Sequence, residues 1–514
     1  MDGAIKQGSP RPGARPISKL TTSGMPKPGE STKAPEVDLQ AAYGPPAFKN
    51  KTGDATTKLN EPFWAALYAK ENIVLHEPDL ERFFWYNPTL GIYEEKTSDA
   101  IREELAARIL QASVEWKEFY PGLVKLRNSA QVHGIIQHLK GISEEREAFS
   151  KNAGVIHLAN CDLRITETRY LVEPISAKSK ARWRLPFNYD PHADCPRFKN
   201  ELLTPLDLDQ LLVVQKVLAL YLTGENPLHK IVILDGEAGG GKTTLALVFQ
   251  EIFGPRKAGS LRTSLLDERF ELGRFYDKTL LIGADVGPQF LQESGAGALK
   301  KLTGGDYLEA ELKTSNRVIE LYGRFNVLIT ANVRLKIRLA DDASAWLRRL
   351  IIIRYRKQRT GTRILDFHKI LMKEEGPGIL NWGLAGLELL RKDIDQTGDI
   401  VLSPEITRTV QSLVEESDGL RLFLRNNIQS DEFSDISVDE LVRGFTGHCQ
   451  KLGWSMEPIG KIHRDLESLM MELFSRVKRN DIKRWGKAVR GYKGVKFSKT
   501  EKDPSEASEE DCNF

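Results

Sequence analysis

The sequence predicts an α/β protein whose central sheet carries a phosphate-binding loop, with a mixed N-terminal domain before it and a winged-helix-like domain after it. Three observations lead there. Gly236-Glu237-Ala238-Gly239-Gly240-Gly241-Lys242-Thr243 fills every fixed position of G-x-x-x-x-G-K-[ST]. That loop sits between the apolar run Ile231-Val232-Ile233-Leu234 and a helical pattern with Leu245, Val248, Phe249 and Ile252 on one face, the strand–loop–helix context the motif requires. Far downstream, two helical patterns give way to a strongly basic segment with a strand-like end.

The loop defines the first candidate site. Backbone N–H groups of residues 236–244 (the eight above and Thr244) can wrap a polyphosphate at the start of a helix. Lys242 supplies a point charge to the β- and γ-phosphates, and the Thr243 hydroxyl is a Mg²⁺ ligand. ATP and Mg²⁺ are therefore the expected ligands. Three more apolar runs follow, at 279–282, 325–330 and 350–353, each reading as a strand. The second strand ends in Gly283-Ala284-Asp285, the third delivers Asn332, and Arg348 and Arg349 precede the fourth. Polar groups at strand ends are where open α/β sheets bind ligands. Asp285 is placed to hold Mg²⁺ through its water shell. The adjacent arginines suit neutralisation of transition-state charge, including across a subunit boundary.

Between the second and third strands stands Lys300-Lys301-Leu302-Thr303-Gly304-Gly305-Asp306. Phosphate loop, strand-end acid, K-x-L-T-G-G-D and Thr330-Ala331-Asn332, in that order, resemble the superfamily-3 helicases, specifically the phage and plasmid primase-helicases related to the poxvirus primase-helicase. Upstream, Phe83-Phe84-Trp85-Tyr86, Asn152-Ala153-Gly154-Val155-Ile156 and Leu185-Pro186-Phe187-Asn188-Tyr189-Asp190-Pro191 look like the domain preceding the core in that family. The resemblance covers about residues 60 to 498. It implies an AAA+-like P-loop ATPase core, a homo-hexameric ring, ATP-driven DNA unwinding, and a γ-phosphate-sensing or water-orienting role for Asn332. It also implies a pore hairpin over 306–317 with Lys313 near its tip; Lys300 and Lys301 are alternatives for the DNA contact. One departure stands out: the family's strand-end glutamate is here the lone Asp285, which leaves water activation to Asp285, to Glu293 or to a neighbouring subunit. No polymerase-like domain fits the N-terminus, so a separate primase or replication initiator is the expected partner.

Taken in order, residues 1–58 read as a disordered tail. Eight prolines (10, 12, 16, 26, 28, 35, 45, 46) fall in the first fifty residues, with few large apolar groups, too little to offset ordering entropy. Residues 59–204 form the N-terminal domain, with helical patterns at 101–110 and 132–139, short strands at 155–158 and 164–166, and aromatics Phe63, Trp64, Phe83, Phe84, Trp85, Tyr86 and Trp116 as core. Residues 205–395 form the ATPase core, where Gly376-Pro377-Gly378 interrupts a helical region and 379–390 makes a lid helix. Gly398 and Pro404 mark 396–414 as a linker.

The winged-helix-like domain spans 415–498. Ser437-x-x-Glu440 is a capping box, and a second helix carries Ile462, Leu466, Leu469 and Leu473. From Arg476 to Lys499 there are ten Lys or Arg and one acid, Asp481. Arg479, Lys483, Arg484, Lys487 and Arg490 are the expected contacts to duplex DNA, with Arg464 a further candidate for base readout. Residues 499–514 read as an acidic disordered tail.

Whole-chain numbers set the bounds. At 514 residues several domains are expected. A net charge of +3 argues nothing about nucleic acid by itself, so the local basic cluster carries that expectation. Four scattered cysteines (161, 195, 449, 512) argue against a disulfide or zinc framework and fit a reducing cytoplasm. There is no apolar run of spanning length, so no membrane association is expected. The leading function is an ATP-dependent DNA helicase or translocase replicating a phage, plasmid or integrated element. The alternative is a phosphate-loop ATPase switch that binds DNA or partners by nucleotide state without unwinding. A small-molecule kinase is disfavoured, since no acceptor-site signature follows the loop.

Overall fold

The computed structural model describes residues 37–498 apart from 54, 150–153, 167–168, 289, 293–294, 314–317, 336–342, 359–361, 418, 453 and 455–457. Glu293, Asn152, Ala153, the far end of the 306–317 segment, residues 1–36 of the expected N-terminal tail and the 499–514 tail lie outside the described residues. The chain divides into two units, residues 1–74 with 96–144 and residues 75–95 with 145–514.

The first unit is helical, with a small hairpin at its start. Helices Glu61–Glu71, Ser98–Glu115 and Ser129–Ile142 bury Phe63, Trp64 and Trp116, whose rings lie 5.8 to 6.4 Å apart. The latter two helices begin on side-chain caps, Thr97 and Asn128, each accepting from a backbone N–H three residues on at 3.1 Å. The expected 1–58 tail is corrected here: from Val37 onward the chain forms helix Val37–Tyr43 and strands Ala47–Lys49 and Thr56–Leu59, paired antiparallel. Two of the eight prolines that suggested disorder, Pro45 and Pro46, are used as acceptors. Trp64 donates to the Pro46 carbonyl at 2.8 Å, and the Asn60 amide to Tyr43 and Pro45 at 2.7 Å.

The second unit is a mixed α/β structure around a five-stranded parallel sheet. From residue 208 onward its elements in order are helix α1 (Leu208–Leu222), strand β1 (Ile231–Gly236), helix α2 (Lys242–Lys257), strands β2 (Ala258–Ser260) and β3 (Leu280–Gly283), and helix α3 (Gly295–Gly304). Strands β4 (Tyr307–Glu311), β5 (Val318–Tyr322) and β6 (Asn326–Ala331), helix α4 (Ala343–Arg349), strand β7 (Leu350–Tyr355) and helices α5 (Phe367–Thr397) and α6 (Pro404–Ser417) follow. The sheet order is β2-β3-β6-β1-β7, every pairing parallel. Its strands are largely apolar because both faces are covered. Val232, Leu234, Leu328 and Ile353 face a core shared with α1, α2 and α5, whereas Ile231, Ile233, Val327 and Ile352 face Leu299, Trp346 and Leu413 on the opposite side.

Three expectations are corrected in this unit. The proposed 59–204 domain is split, since residues 75–95 and 145–204 belong with the sheet. Arg182 shows why: its guanidinium bonds Asp277 at 2.5 Å and lies 4.7 and 4.8 Å from the Phe84 and Phe149 rings. Nor is there a break at Gly376-Pro377-Gly378. Helix α5 runs thirty-one residues through Pro377, a length of about 46 Å at the standard rise. Its glycines admit neighbours instead: a Cβ at Gly376 would meet the Phe187 ring at 2.6 Å, and one at Gly378 the Asp194 carbonyl at 2.2 Å. Finally, much of the 396–414 "linker" is helix α6, which buries Ile406, Val410, Leu413 and Val414.

The C-terminal module contains helix α7 (Gly419–Asn427), strand β8 (Ile428–Ser437), helices α8 (Val438–Leu452) and α9 (Ile459–Phe474), and strands β9 (Arg479–Arg484) and β10 (Lys487–Phe497). The sheet is antiparallel in the order β8-β10-β9. Phe423, Leu441, Phe445, Ile462, Leu466, Met470, Tyr492 and Val495 form its own core. Both halves of the capping box are made: Glu440 N–H donates to Ser437 Oγ at 3.2 Å, and Ser437 N–H to Glu440 Oε2 at 2.8 Å. Among the described residues, no helix is long and apolar enough to cross a membrane.

Candidate functional site

The phosphate-binding loop leaves β1 at Gly236 and enters α2 at Lys242. It is pressed against β7, so that a Cβ at Gly236 (φ +131°) would lie 2.3 Å from the Tyr355 carbonyl oxygen. Gly241 turns into the helix at φ +93°, a conformation that costs other residues energy. Lys242 is 3% exposed, and its ammonium donates to the Gly236 and Glu237 carbonyls at 2.6 and 2.7 Å. Burial holds its pKa below the usual lysine range, opposed by the nearby charges of Asp235 and Asp285. Thr243 is exposed and Thr244 half-buried on the first turn of α2. Glu237, Ala238, Gly239 and Gly240 complete the loop, with Gly240 packed against the Tyr355 ring.

Parallel register brings the other strand ends to the same edge. Gly283 of β3 pairs with Ile329, Ile329 with Ile233, and Ala331 with Asp235. Just past these pairs, Asn332 Nδ2 donates to Asp285 Oδ1 at 2.9 Å. Asp285 is held in a left-handed conformation (φ +47°) by its N–H, which donates to Thr330 Oγ1 at 3.0 Å. The acid and the amide singled out in the sequence are therefore in direct contact. Asp285 and Thr243 both present exposed oxygens, and Asp285 Oδ2 is not engaged by Asn332. Hard oxygen donors of this kind fit Mg²⁺.

Sequence reading missed Asp235. It is 6% exposed one residue before the end of β1, paired with Arg354 at 3.3 Å and electrostatically coupled to Lys242. A carboxylate closing an otherwise apolar strand was the available signal. Arg334, beyond Asn332, pairs with Glu416 of α6 at 2.9 Å and donates to Ser412 at 2.9 Å, tying the strand-end loop to a helix taken for linker.

The two arginines diverge. Arg348 is exposed at the end of α4, whereas Arg349 is 8% exposed and donates back to the Ala345 carbonyl at 3.1 Å. The one able to reach outward is Arg348. Strands β4 and β5 form an antiparallel hairpin, Tyr307 opposite Tyr322 and Glu311 opposite Val318. Lys313 is exposed two residues past β4. The hairpin's inner face buries Leu308, Ala310, Ile319 and Leu321, while the outer face sets Glu309 opposite Glu320. Lys301 is exposed on α3, and Lys300 lies over the Trp346 ring at 5.5 Å.

In the C-terminal module the basic run forms the β9–β10 hairpin. Folding also brings acids to it that local charge counting does not see. Arg484 bonds Asp435 at 2.6 Å and Glu440 at 2.7 and 2.9 Å, so it is a structural residue and not a free DNA contact. Arg479 and Lys493 share Asp481, at 3.0 and 2.9 Å. Lys496 pairs with Asp431 at 2.5 Å. Lys483, Lys487 and Arg490 are exposed, and none of them forms an ion pair among the described residues. Arg464 is exposed on α9.

A family described as of unknown function (DUF5906) matches residues 234–349, from the loop strand to the end of α4. No curated protein matches the chain. Among solved structures, the A-form apo structure of the NrS-1 C-terminal region is similar at a TM-score of 0.46 and 13% identity, covering 84% of this chain and 100% of that one. An apo structure of the same region gives 0.43 and 15%, covering 84% and 99%. Similarity at this level assigns neither activity nor ligand. What the chain itself presents is a glycine loop, a buried lysine and a hydrogen-bonded Asp–Asn pair gathered at one edge of a parallel sheet.

Proposed function

We propose that this protein is an ATP hydrolase that translocates on and unwinds DNA, acting in the replication of a phage, plasmid or integrated element. The observation that carries the reading is the convergence of Lys242, Asp285 and Asn332 at the carboxyl edge of the parallel sheet. The loop amides and the α2 N-terminus bind the triphosphate, and Lys242 exchanges its loop carbonyls for the β- and γ-phosphate oxygens. Mg²⁺, held by the Thr243 hydroxyl and by Asp285, would neutralise charge on those phosphates. Asn332 orients water or senses the γ-phosphate. Its bond to Asp285 lets it report on whether the carboxylate is engaged elsewhere.

Subunits in a homo-hexameric ring would place Arg348 at a neighbour's phosphates, with Lys313 at the hairpin tip gripping single-stranded DNA in the pore. The α–β–α–α–β–β order of the C-terminal module and its unpaired hairpin cations support a winged-helix-like DNA contact there. The phage or plasmid setting, and a separate primase or initiator as partner, rest on the sequence resemblance alone.

Measuring Mg²⁺-dependent ATP hydrolysis with and without single-stranded DNA, and strand displacement on 3′- and 5′-tailed duplexes, tests the reading. Wild type is expected to hydrolyse ATP and displace one tailed substrate, with Lys242→Ala folded but inactive in both assays. Hydrolysis without displacement of either substrate would favour the nucleotide switch instead. Turnover in Lys242→Ala equal to wild type sinks both.

A further inference from the structure

Trp485 is the least explained side chain in the C-terminal module. It is 88% exposed at the tip of the β9–β10 hairpin, in a two-residue turn closed by the Arg484–Lys487 pair. Both turn residues have positive φ, +45° at Trp485 and +76° at Gly486. Turns of this kind favour Asn, Asp or Gly at the first position, and a bulky residue there is strained. Trp485 therefore pays for its conformation without burying its ring. Strain that the fold does not reward is a mark of function.

The charges around it are sorted in the same direction. Arg479, Arg484, Lys493 and Lys496 are each matched to an acid, but Lys483, Lys487 and Arg490, the cations flanking the tip, have no ion-pair partner among the described residues. The longer helix of the module offers no rival patch: along α9, Lys461 and Arg464 are outnumbered by Asp465, Glu467 and Glu472. Positive charge free to meet phosphate is thus concentrated on the hairpin that carries the exposed indole.

We propose that this tip is a base-stacking element. Trp485 lies against an unstacked or terminal base at a single-strand/duplex junction, while Lys483, Lys487 and Arg490 contact the neighbouring phosphates. The inference rests on the DNA-binding reading of the module and goes beyond it by naming the DNA form. The interior of an intact duplex presents no free base face to an indole on a narrow hairpin, whereas a fork or single strand does.

The test uses the full-length protein without nucleotide, binding a forked DNA with 2-aminopurine at the junction, a single strand, and a relaxed, covalently closed circular duplex that has neither ends nor loops. The main variant is Trp485→Asn, because Asn suits the turn and preserves the fold; Trp485→Phe keeps a ring. Trp485→Asn is expected to weaken fork and single-strand binding about 5- to 150-fold, as loss of one stacked base does. It should also abolish the 2-aminopurine fluorescence change and shift closed-duplex binding less than about twofold, stacking being absent there. Trp485→Phe should retain most of the affinity. The triple variant Lys483→Ala/Lys487→Ala/Arg490→Ala should flatten the salt dependence by about 2 to 3 in slope. Fork binding and fluorescence unchanged in Trp485→Asn overturns the stacking inference, as does a changed sedimentation coefficient of DNA-free Trp485→Asn, which would make the tip a contact between copies. A triple variant that binds like wild type removes the DNA-binding reading of the module as well.

Discussion

Asn332 holds Asp285 through a single hydrogen bond, and the geometry of that bond makes a sharp prediction. Asn332→Ala leaves the strand end intact and removes only the amide. A donor lost from a polar constellation of this kind costs about 10²–10³ in turnover. Steady-state ATPase measurements should show kcat reduced on that scale with KM for ATP little changed, since the loop itself is untouched. A second residue makes a pH prediction. His157 Nδ1 lies 2.9 Å from Asp162 Oδ1 beside the Arg184–Asp162 pair, and burial pushes its pKa down to about 4 from 6.5. The folded state therefore keeps the ring neutral where the unfolded chain takes up a proton. Its contribution is present above pH 6.5 and is lost as pH falls towards 4. Melting temperature followed from pH 7 to 4.5 should fall, and less steeply in His157→Gln. Equal slopes would mean that other groups set the acid limb.

Among elements, α5 depends on glycine for a backbone contact at Gly378, whereas Gly447 of α8 faces open space. A Cβ at Gly378 meets backbone at 2.2 Å, whereas one at Gly447 meets nothing within 4 Å. Gly378→Ala should destabilise by roughly 1–3 kcal/mol through overpacking. Gly447→Ala should stabilise by about 0.5–1 kcal/mol through helix propensity; thermal melts of the two variants in parallel separate these signs. The same elements show what was legible in the sequence. Strands β1, β3, β6 and β7 were readable because a sheet covered on both faces demands unbroken apolar runs, and the loop because its glycines sit at fixed spacing. Helix α6 was not, since Gly398 and Pro404 look like linker punctuation. In fact Gly398 ends α5 in a left-handed cap (φ +76°) and Pro404 opens the next helix, where a missing N–H costs nothing. The pairing of Arg484 was equally hidden. Its acids, Asp435 and Glu440, stand 49 and 44 residues upstream, beyond any local count of charge. Trp485 and Asp235 carried visible signals, an aromatic in a turn and an acid closing an apolar strand, whose meaning depended on burial.

For the molecule as a whole, assembly is the open property and Arg348 the handle on it. In a ring of head-to-tail subunits each nucleotide site takes Lys242 from one protomer and Arg348 from the next. Either variant, Lys242→Ala or Arg348→Ala, is then inactive alone. In an equal mixture about a quarter of the interfaces carry both intact residues, the interface being heterologous. Mixing the two proteins under ATP should therefore recover a fraction of wild-type hydrolysis, with sedimentation showing a closed oligomer. Inactivity at every ratio would place the nucleotide site within one protomer. The outer face of the β4–β5 hairpin bears on how such a ring would handle its track. Glu309 and Glu320 stand opposite each other on that face, and Lys313 lies beyond them towards the turn. In the proposed ring, a phosphate chain would be repelled by Glu309 and Glu320 along the hairpin's flank and attracted at Lys313. Such a contact would have the character of a pawl on a ratchet rather than a brake: it would engage at one tooth, and the acidic flank would keep the strand from dragging when the tooth lets go.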